Sequence, residues 1–320
     1  MDTPEIEFHT HGWRLVLLAR CKSLPPVPTA IAHPCDAAAL GAAVEAAVQG
    51  LIAPILVGPA AKIHAAAEAA GVDISGFRLE PAPHSHAAAG RAVALVRAGE
   101  AQMLMKGSLH TDELMHAVLA VDIGLRTARR VSHVYIMDVP RYPRPLMITD
   151  AAINIAPSLE DKRDIVQNAI DLAHVLGLAK PRVAILSAVE TVTSKLQSTL
   201  DAAALCKMAD RGQITGGLLD GPLAFDNAIS PDAAREKLIV SEVAGKADIL
   251  VVPDLVSGNL LAKQLSFLAG ADGAGVVVGA QVPIVLTSRA DAESARIASC
   301  AVGVLMVHVA SGVTVGAVVA

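Results

Sequence analysis

Short runs of β-branched and aliphatic residues alternate with longer helical patterns along most of this chain, and that alternation constrains the fold more than any other feature. Strand-like runs read at Pro54–Val57, Met103–Met105, His133–Met137, Leu146–Ile148, Val183–Leu186, Gly217–Leu219, Ile249–Val252, Val276–Val278 and Ile284–Leu286. Helical patterns between them include Ala37–Val48, His86–Arg97, Ser198–Ala209 and Ser257–Leu268. Glu160–Leu176 is the clearest: Ile165, Ala169, Leu172, Ala173 and Leu176 recur on one 3.6-residue face, and Asp161, Lys162, Asp164, Gln167 and Asp171 lie on the other. Repeated β-α alternation predicts an α/β fold with a largely parallel, doubly wound sheet and right-handed crossovers. In such sheets ligands bind outside the carboxyl ends of strands, so the loops just after strands are where chemistry is expected.

Composition agrees with that architecture. A chain of 320 residues makes one large or two ordinary domains. Its 53% apolar content is mainly Ala, Val, Leu and Ile with only 2% aromatics, which suits a sheet covered by helices on both faces. A net charge of -5 argues against a nucleic-acid groove, which needs clustered Lys and Arg. Cys21, Cys35, Cys206 and Cys300 form no C-x-x-C pair, so they read as reduced structural thiols of a cytoplasmic protein rather than a disulfide or zinc framework. Asp2, Glu5 and Glu7 stand where an export signal would be basic. From Cys300 to Ala320 no residue carries a fixed charge, a length that could cross a bilayer. Gly303, His308, Ser311, Gly312 and Gly316 interrupt it and anchoring residues are missing, so a helix end followed by a buried strand is expected, and no membrane. The Pro-rich stretch Asp138–Pro145 can continue neither a helix nor a central strand, which places a domain boundary near Asp150.

Four loops after strand-like runs hold the suggestive polar residues. Lys106-Gly107-Ser108-Leu109-His110-Thr111-Asp112 leads into a helix at Asp112 or Glu113. Gly107 permits a tight turn, Ser108 and Thr111 can cap the helix, and free N–H groups beside Lys106 suit a phosphate or pyrophosphate. The same loop also reads as an ordinary cap with a surface lysine. Asp220-Gly221-Pro222, followed by Phe225-Asp226-Asn227, reads as a strand ending in a turn whose aspartate bonds its own backbone, or as a ligand contact. In Val252–Asn259, Gly258 and Asn259 could let a ligand approach the backbone, with Lys263 one turn on. Leu286-Thr287-Ser288-Arg289-Ala290-Asp291 offers a hydroxyl, a guanidinium fork for phosphate or a carbonyl oxyanion, and a carboxylate. Gly270–Gly275 lacks the strand and third glycine of a dinucleotide fingerprint, His84 and His86 read as helix-start residues rather than metal ligands, and no G-x-S-x-G elbow exists.

With these residues together, the chain resembles the phosphate acetyl/butyryltransferase family from about Ala32 to about Val302. KGSLHTDEL, Thr149–Pro157, Ala184–Glu190, Leu218–Ser230, Ala247–Asn259 and Val282–Asp291 carry the similarity in order. The resemblance implies two α/β domains like isocitrate and isopropylmalate dehydrogenases, a substrate cleft between them, a C-terminal segment that returns to the first domain, and homodimers. The expected division is 1–150 plus 285–320 and 151–284. It also implies that Arg289 binds phosphate and acyl oxygens and that Ser288 contacts the sulfur or reacting group. The family's acetyl-specific branch has an aspartate at the position of Ala295 and arginines at Ser266 and His116; these departures place the chain nearer the butyryltransferase-like branch.

The implied reaction moves a short acyl group between coenzyme A and inorganic phosphate. Alignment and charge neutralisation supply its acceleration, with neither metal nor other cofactor required. Asp291, His110 and Asp226 all remain open as a thiol base. Two other readings compete: a non-catalytic CoA or acyl-phosphate sensor, and a dehydrogenase of the related fold, for which a cofactor loop and acidic metal ligands are wanting.

Overall fold

The structure is a computed structural model that describes residues 12–286 and 291–313. In the first half α1 (Trp13–Cys21) precedes β1 (Val27–Ala32), α2 (Ala37–Val48), β2 (Ile52–Gly58), α3 (Ala60–Ala70), β3 (Arg78–Pro81), α4 (Ser85–Arg97), β4 (Met103–Lys106) and α5 (Thr111–Val118). The middle brings β5 (Ser132–Asp138), β6 (Leu146–Thr149), α6 (Leu159–Val175), β7 (Arg182–Leu186), α7 (Gln197–Asp210), β8 (Leu218–Leu223), α8 (Phe225–Ile229) and α9 (Pro231–Glu236). The chain then adds β9 (Ile249–Val251), α10 (Leu255–Leu268), β10 (Asp272–Val278), β11 (Ile284–Val285) and α11 (Glu293–Ala310).

All described strands join one sheet in the order β3-β2-β1-β4-β11-β10-β5-β6-β9-β7-β8. The expected parallel pairing holds in both outer parts, among β3, β2, β1, β4 and β11 and among β6, β9, β7 and β8. The centre is antiparallel: β10 pairs so with β11 and β5, and β5 with β6. For β5–β6 and β10–β11 the reason is link length. Parallel neighbours need a crossover of about a dozen residues or more, whereas the Pro-rich stretch between β5 and β6 leaves room only for a hairpin. The two parallel parts consequently point in opposite directions, and their carboxyl ends lie on opposite edges of the sheet.

Alternation along the strands builds helix layers on both faces. Ile31 of β1 faces a core shared with α1, α2, α6 and α11, while Ala30 and Ala32 face a second core under α4 and α5. A third core lies beneath β6, β7 and β9 and takes in α8 and α9. α6 opens on a reciprocal capping box, Ser158 Oγ accepting from Asp161 N at 3.1 Å and Asp161 Oδ2 accepting from Ser158 N at 3.0 Å. On its inner side Lys162, which periodicity alone would leave in water, is buried and donates to Asp201 of α7 at 2.6 Å.

The strand end expected at Asp220 moves. β8 runs through Gly221 and Pro222 to Leu223 instead of ending at Asp220; as the outermost strand it has room for a proline that donates no ladder bond. The apolar stretch from Cys300 belongs to a helix that begins at Glu293. Among the described residues α11 is the one helix long and apolar enough to cross a membrane, yet 67% of it is buried, against α1, α2 and β10. The strand expected after it lies outside the described residues.

Candidate functional site

The register of β11 on β4, Ile284 beside Leu104 and Val285 beside Met105, brings the chain out of both strands at one level. Lys106 and Leu286 thus leave the sheet side by side. Ser288 and Arg289, which follow Leu286, lie outside the described residues; Asp291 is described and half-buried.

Lys106 ends β4 only 6% exposed. Gly107 then passes so close to the chain after β1 that a Cβ would meet the carbonyl oxygens of Ala32 and His33 at 2.5 Å each. Gly107 N donates to Ala32 O and Ser108 N to His33 O, both at 2.9 Å. The Ser108 hydroxyl donates to His33 O at 2.8 Å and accepts from Cys35 N at 3.1 Å, so it ties two loops together instead of capping the next helix. His33 itself sits at φ +56, and burial followed by nearby Lys62 lowers its pKa despite Glu113 and Asp36. α5 begins at Thr111, earlier than expected, with exposed His110 as N-cap and no side-chain capping bond. Its first N–H groups therefore present their partial positive charge at the carboxyl edge of β4.

Opposite polarity of the sheet halves separates the four loops. Those after β9 and β8 emerge at the other edge. α10 compensates for one of them: it runs back from the carboxyl end of β9 and carries Lys263 to a cavity of about 370 Å³ that Asp291 also lines. Gly258 and Asn259, earlier on α10, face the chain after β6. A Cβ on Gly258 would lie 3.0 Å from Ala151, and Asn259 Nδ2 donates to Ala151 O at 3.2 Å. Asp226 on α8 pairs with Lys237 at 3.3 Å, and Lys237 also holds Glu190 at 3.2 Å. Six strand spacings, about 29 Å along the sheet, separate β8 from β11.

The centre contains groups that residue-by-residue reading passed over. Asp150, after β6, is buried, and its carboxylate accepts from Ala152 N, Ile153 N, Asn154 N and Asn154 Nδ2 at 2.9, 3.1, 3.1 and 2.5 Å. Burial raises its pKa while these bonds pull the other way. Asn154 accepts from Arg130 Nε at 2.7 Å and donates to Val131 O at 2.9 Å. Tyr135 of β5 stands with its ring 4.4 Å from that of His133, and its hydroxyl pKa is pushed up to about 12, first by burial and then by Asp291 and Asp150. The signal available in sequence was the Thr149–Pro157 motif itself, which carried the resemblance without suggesting a role. Among the described residues no group of three or more His, Cys, Asp or Glu is placed to hold a metal ion.

The family described as Phosphate acetyl/butaryl transferase matches residues 82–304. The chain belongs to the phosphate acetyl/butyryltransferase family. It is 64% identical to a phosphate acetyltransferase of Rhizobium meliloti over 292 residues, 91% of this chain and 92% of that relative. A phosphate butyryltransferase of Clostridium acetobutylicum is 40% identical over 292 residues, 91% of this chain and 96% of that one. Among solved structures, a branched-chain phosphotransacylase from Enterococcus faecalis V583 aligns with TM-score 0.77 and 30% identity, covering 88% of this chain and 99% of that chain. A phosphate acetyl/butyryltransferase is an acyltransferase using CoA and phosphate, so the enzyme reading prevails over the sensor and the dehydrogenase.

Proposed function

We propose that the chain transfers a short acyl group reversibly between CoA and phosphate by direct attack in a ternary complex. A phosphate oxygen attacks the thioester carbonyl carbon, the C–S bond breaks, and the CoA thiolate leaves and takes up a proton; acyl phosphate is the other product. The observation that carries this reading is the shared exit level of β4 and β11, with Asp291 and Lys263 on one cavity beside it. Lys106 and the uncapped N-terminus of α5, with His110 and Thr111, bind phosphate groups of CoA or free phosphate. Arg289 neutralises charge developing on the phosphate and carbonyl oxygens, and Ser288 orients the sulfur.

Asp291 is the favoured proton carrier, because it lines one cavity with Lys263, whereas Asp226 is held by Lys237 toward the far end of the sheet. Gly258 and Asn259 act by fixing the Ala151 loop. No metal or cofactor beyond the substrates takes part. The protein works in the cytoplasm as a homodimer, and Val256, Leu260 and Phe267 on α10, exposed by 61, 55 and 73%, form an apolar stripe suited to a second copy.

Thiol release from acetyl-, propionyl-, butyryl- and branched-chain CoA, with and without phosphate and a chelator, tests the reading. It requires release that depends on phosphate and ignores chelation. Phosphate-independent release, or reduction of a nicotinamide, contradicts it.

A further inference from the structure

The cavity that Asp291 and Lys263 line has an apolar side. Tyr135 and Met137 of β5, Ala262 and Phe267 of α10, Ala274 of β10 and Ala295 of α11 form that side. Its volume of about 370 Å³ lies within the usual ~300–1,000 Å³ of small-molecule sites, far more than an acetyl methyl fills. Small residues keep it open. Gly275 has no side chain to spare for it: a Cβ there would stand 2.9 Å from His133 Nε2 and 3.4 Å from the Tyr135 ring.

Tyr135 is fixed in place. The His133 ring meets it edge-on at 4.4 Å and 64°, and His133 is itself wholly buried. The Tyr135 ring thus rests against a buried partner where it borders the cavity. The charged groups Asp291, Lys263 and Asp272 and the Ser266 hydroxyl share the lining with this apolar side, which offers an aliphatic chain contact, and the Ser299 hydroxyl is already engaged with Gly275 N and Ala295 O.

We propose that this cavity holds the acyl chain and that Tyr135 sets the length of chain it accepts, the class being unsubstituted aliphatic acyl groups. The inference rests on the acyl-transfer reading above. An apolar pocket senses one methylene by roughly 10-fold or more in kcat/KM.

The test compares acetyl-, butyryl- and hexanoyl-CoA as substrates with phosphate for the wild type, Tyr135→Ala and Ala295→Leu. Tyr135→Ala is expected to raise the hexanoyl-to-acetyl ratio of kcat/KM by about 10-fold, because the chain gains the space of the ring. Ala295→Leu, at a half-buried helical position that suits leucine, is expected to lower the butyryl-to-acetyl ratio by about 10-fold. If Tyr135→Ala does not fold, Ala295→Leu decides alone. Active variants whose ratios stay at the wild-type values overturn the pocket assignment while leaving acyl transfer intact. A wild type that releases no thiol with phosphate from any of the three overturns both.

Discussion

Gly107→Ala puts a single methyl group into the tightest backbone approach near the proposed site. The new Cβ would lie 2.5 Å from two carbonyl oxygens, those of Ala32 and His33. Relaxing each contact to an ordinary C···O distance of about 3.3 Å means moving the loop by about 0.8 Å. The bonds from Gly107 N and Ser108 N to the same two oxygens, 2.9 Å each, stretch or break with that movement. At a net ~1 kcal/mol per backbone hydrogen bond, the stability loss is about 2 kcal/mol. Activity should suffer more, since a shift of about 1 Å in a positioning element can cost roughly 10²-fold. Denaturant melts and phosphate-dependent thiol release measure the two effects. Gly41→Ala on α2 is the control: nothing lies within 4 Å of its new Cβ, and it should be neutral or slightly stabilising. A folded Gly107→Ala protein with wild-type kcat/KM would refute the claim that this close approach positions the site.

The buried Lys162–Asp201 pair joins α6 to α7, with side chains only 8% and 11% exposed. Asp201→Ala strands the ammonium and should cost about 3–5 kcal/mol by chemical denaturation; an unchanged midpoint would show that the pair is hydrated. His133 has neither ring nitrogen hydrogen-bonded, and burial holds its pKa down to about 3 against 6.5 in the unfolded chain. Its contribution to stability is thus complete above pH 6.5 and is lost as pH falls toward 3, about 2 kcal/mol of it by pH 5. Replacing the ring by His133→Phe should flatten that part of the acid limb, and an identical stability–pH curve would remove His133 as its cause.

Much of this architecture is written locally. Val183–Leu186 and Met103–Met105 are short, apolar and bounded by polar loops, and both are strands; Ala37–Val48 is a helix to the residue. β1 escaped notice because Pro28 and two alanines dilute its pattern, and β3 because an edge strand of Arg, Leu, Glu and Pro shows no apolar face. Strand direction is a non-local property. The brevity of the links β5–β6 and β10–β11 was the available clue to an antiparallel centre, and the β-α rhythm on either side concealed it. For the site, Lys106 and Asp291 could be singled out because both follow strands. Sequence order could not show that α10 returns Lys263 to Asp291 while leaving Asp226 with Lys237. Tyr135 and His133 look like ordinary core residues of a strand, and sequence could not show that Gly275 of the neighbouring strand leaves their rings room to meet.

Arg289 carries the central chemical claim, that one guanidinium holds phosphate and the thioester oxygen as negative charge develops. Losing a preorganised donor of this kind typically costs about 10²–10³ in turnover, and an ammonium restores charge without the bidentate fork. The most direct measurement is phosphate-dependent thiol release by Arg289→Ala and Arg289→Lys, with folding checked by circular dichroism. The account predicts a loss of about 10²–10³-fold for the alanine variant and partial recovery for the lysine variant. Folded Arg289→Ala with near-wild-type turnover would contradict it.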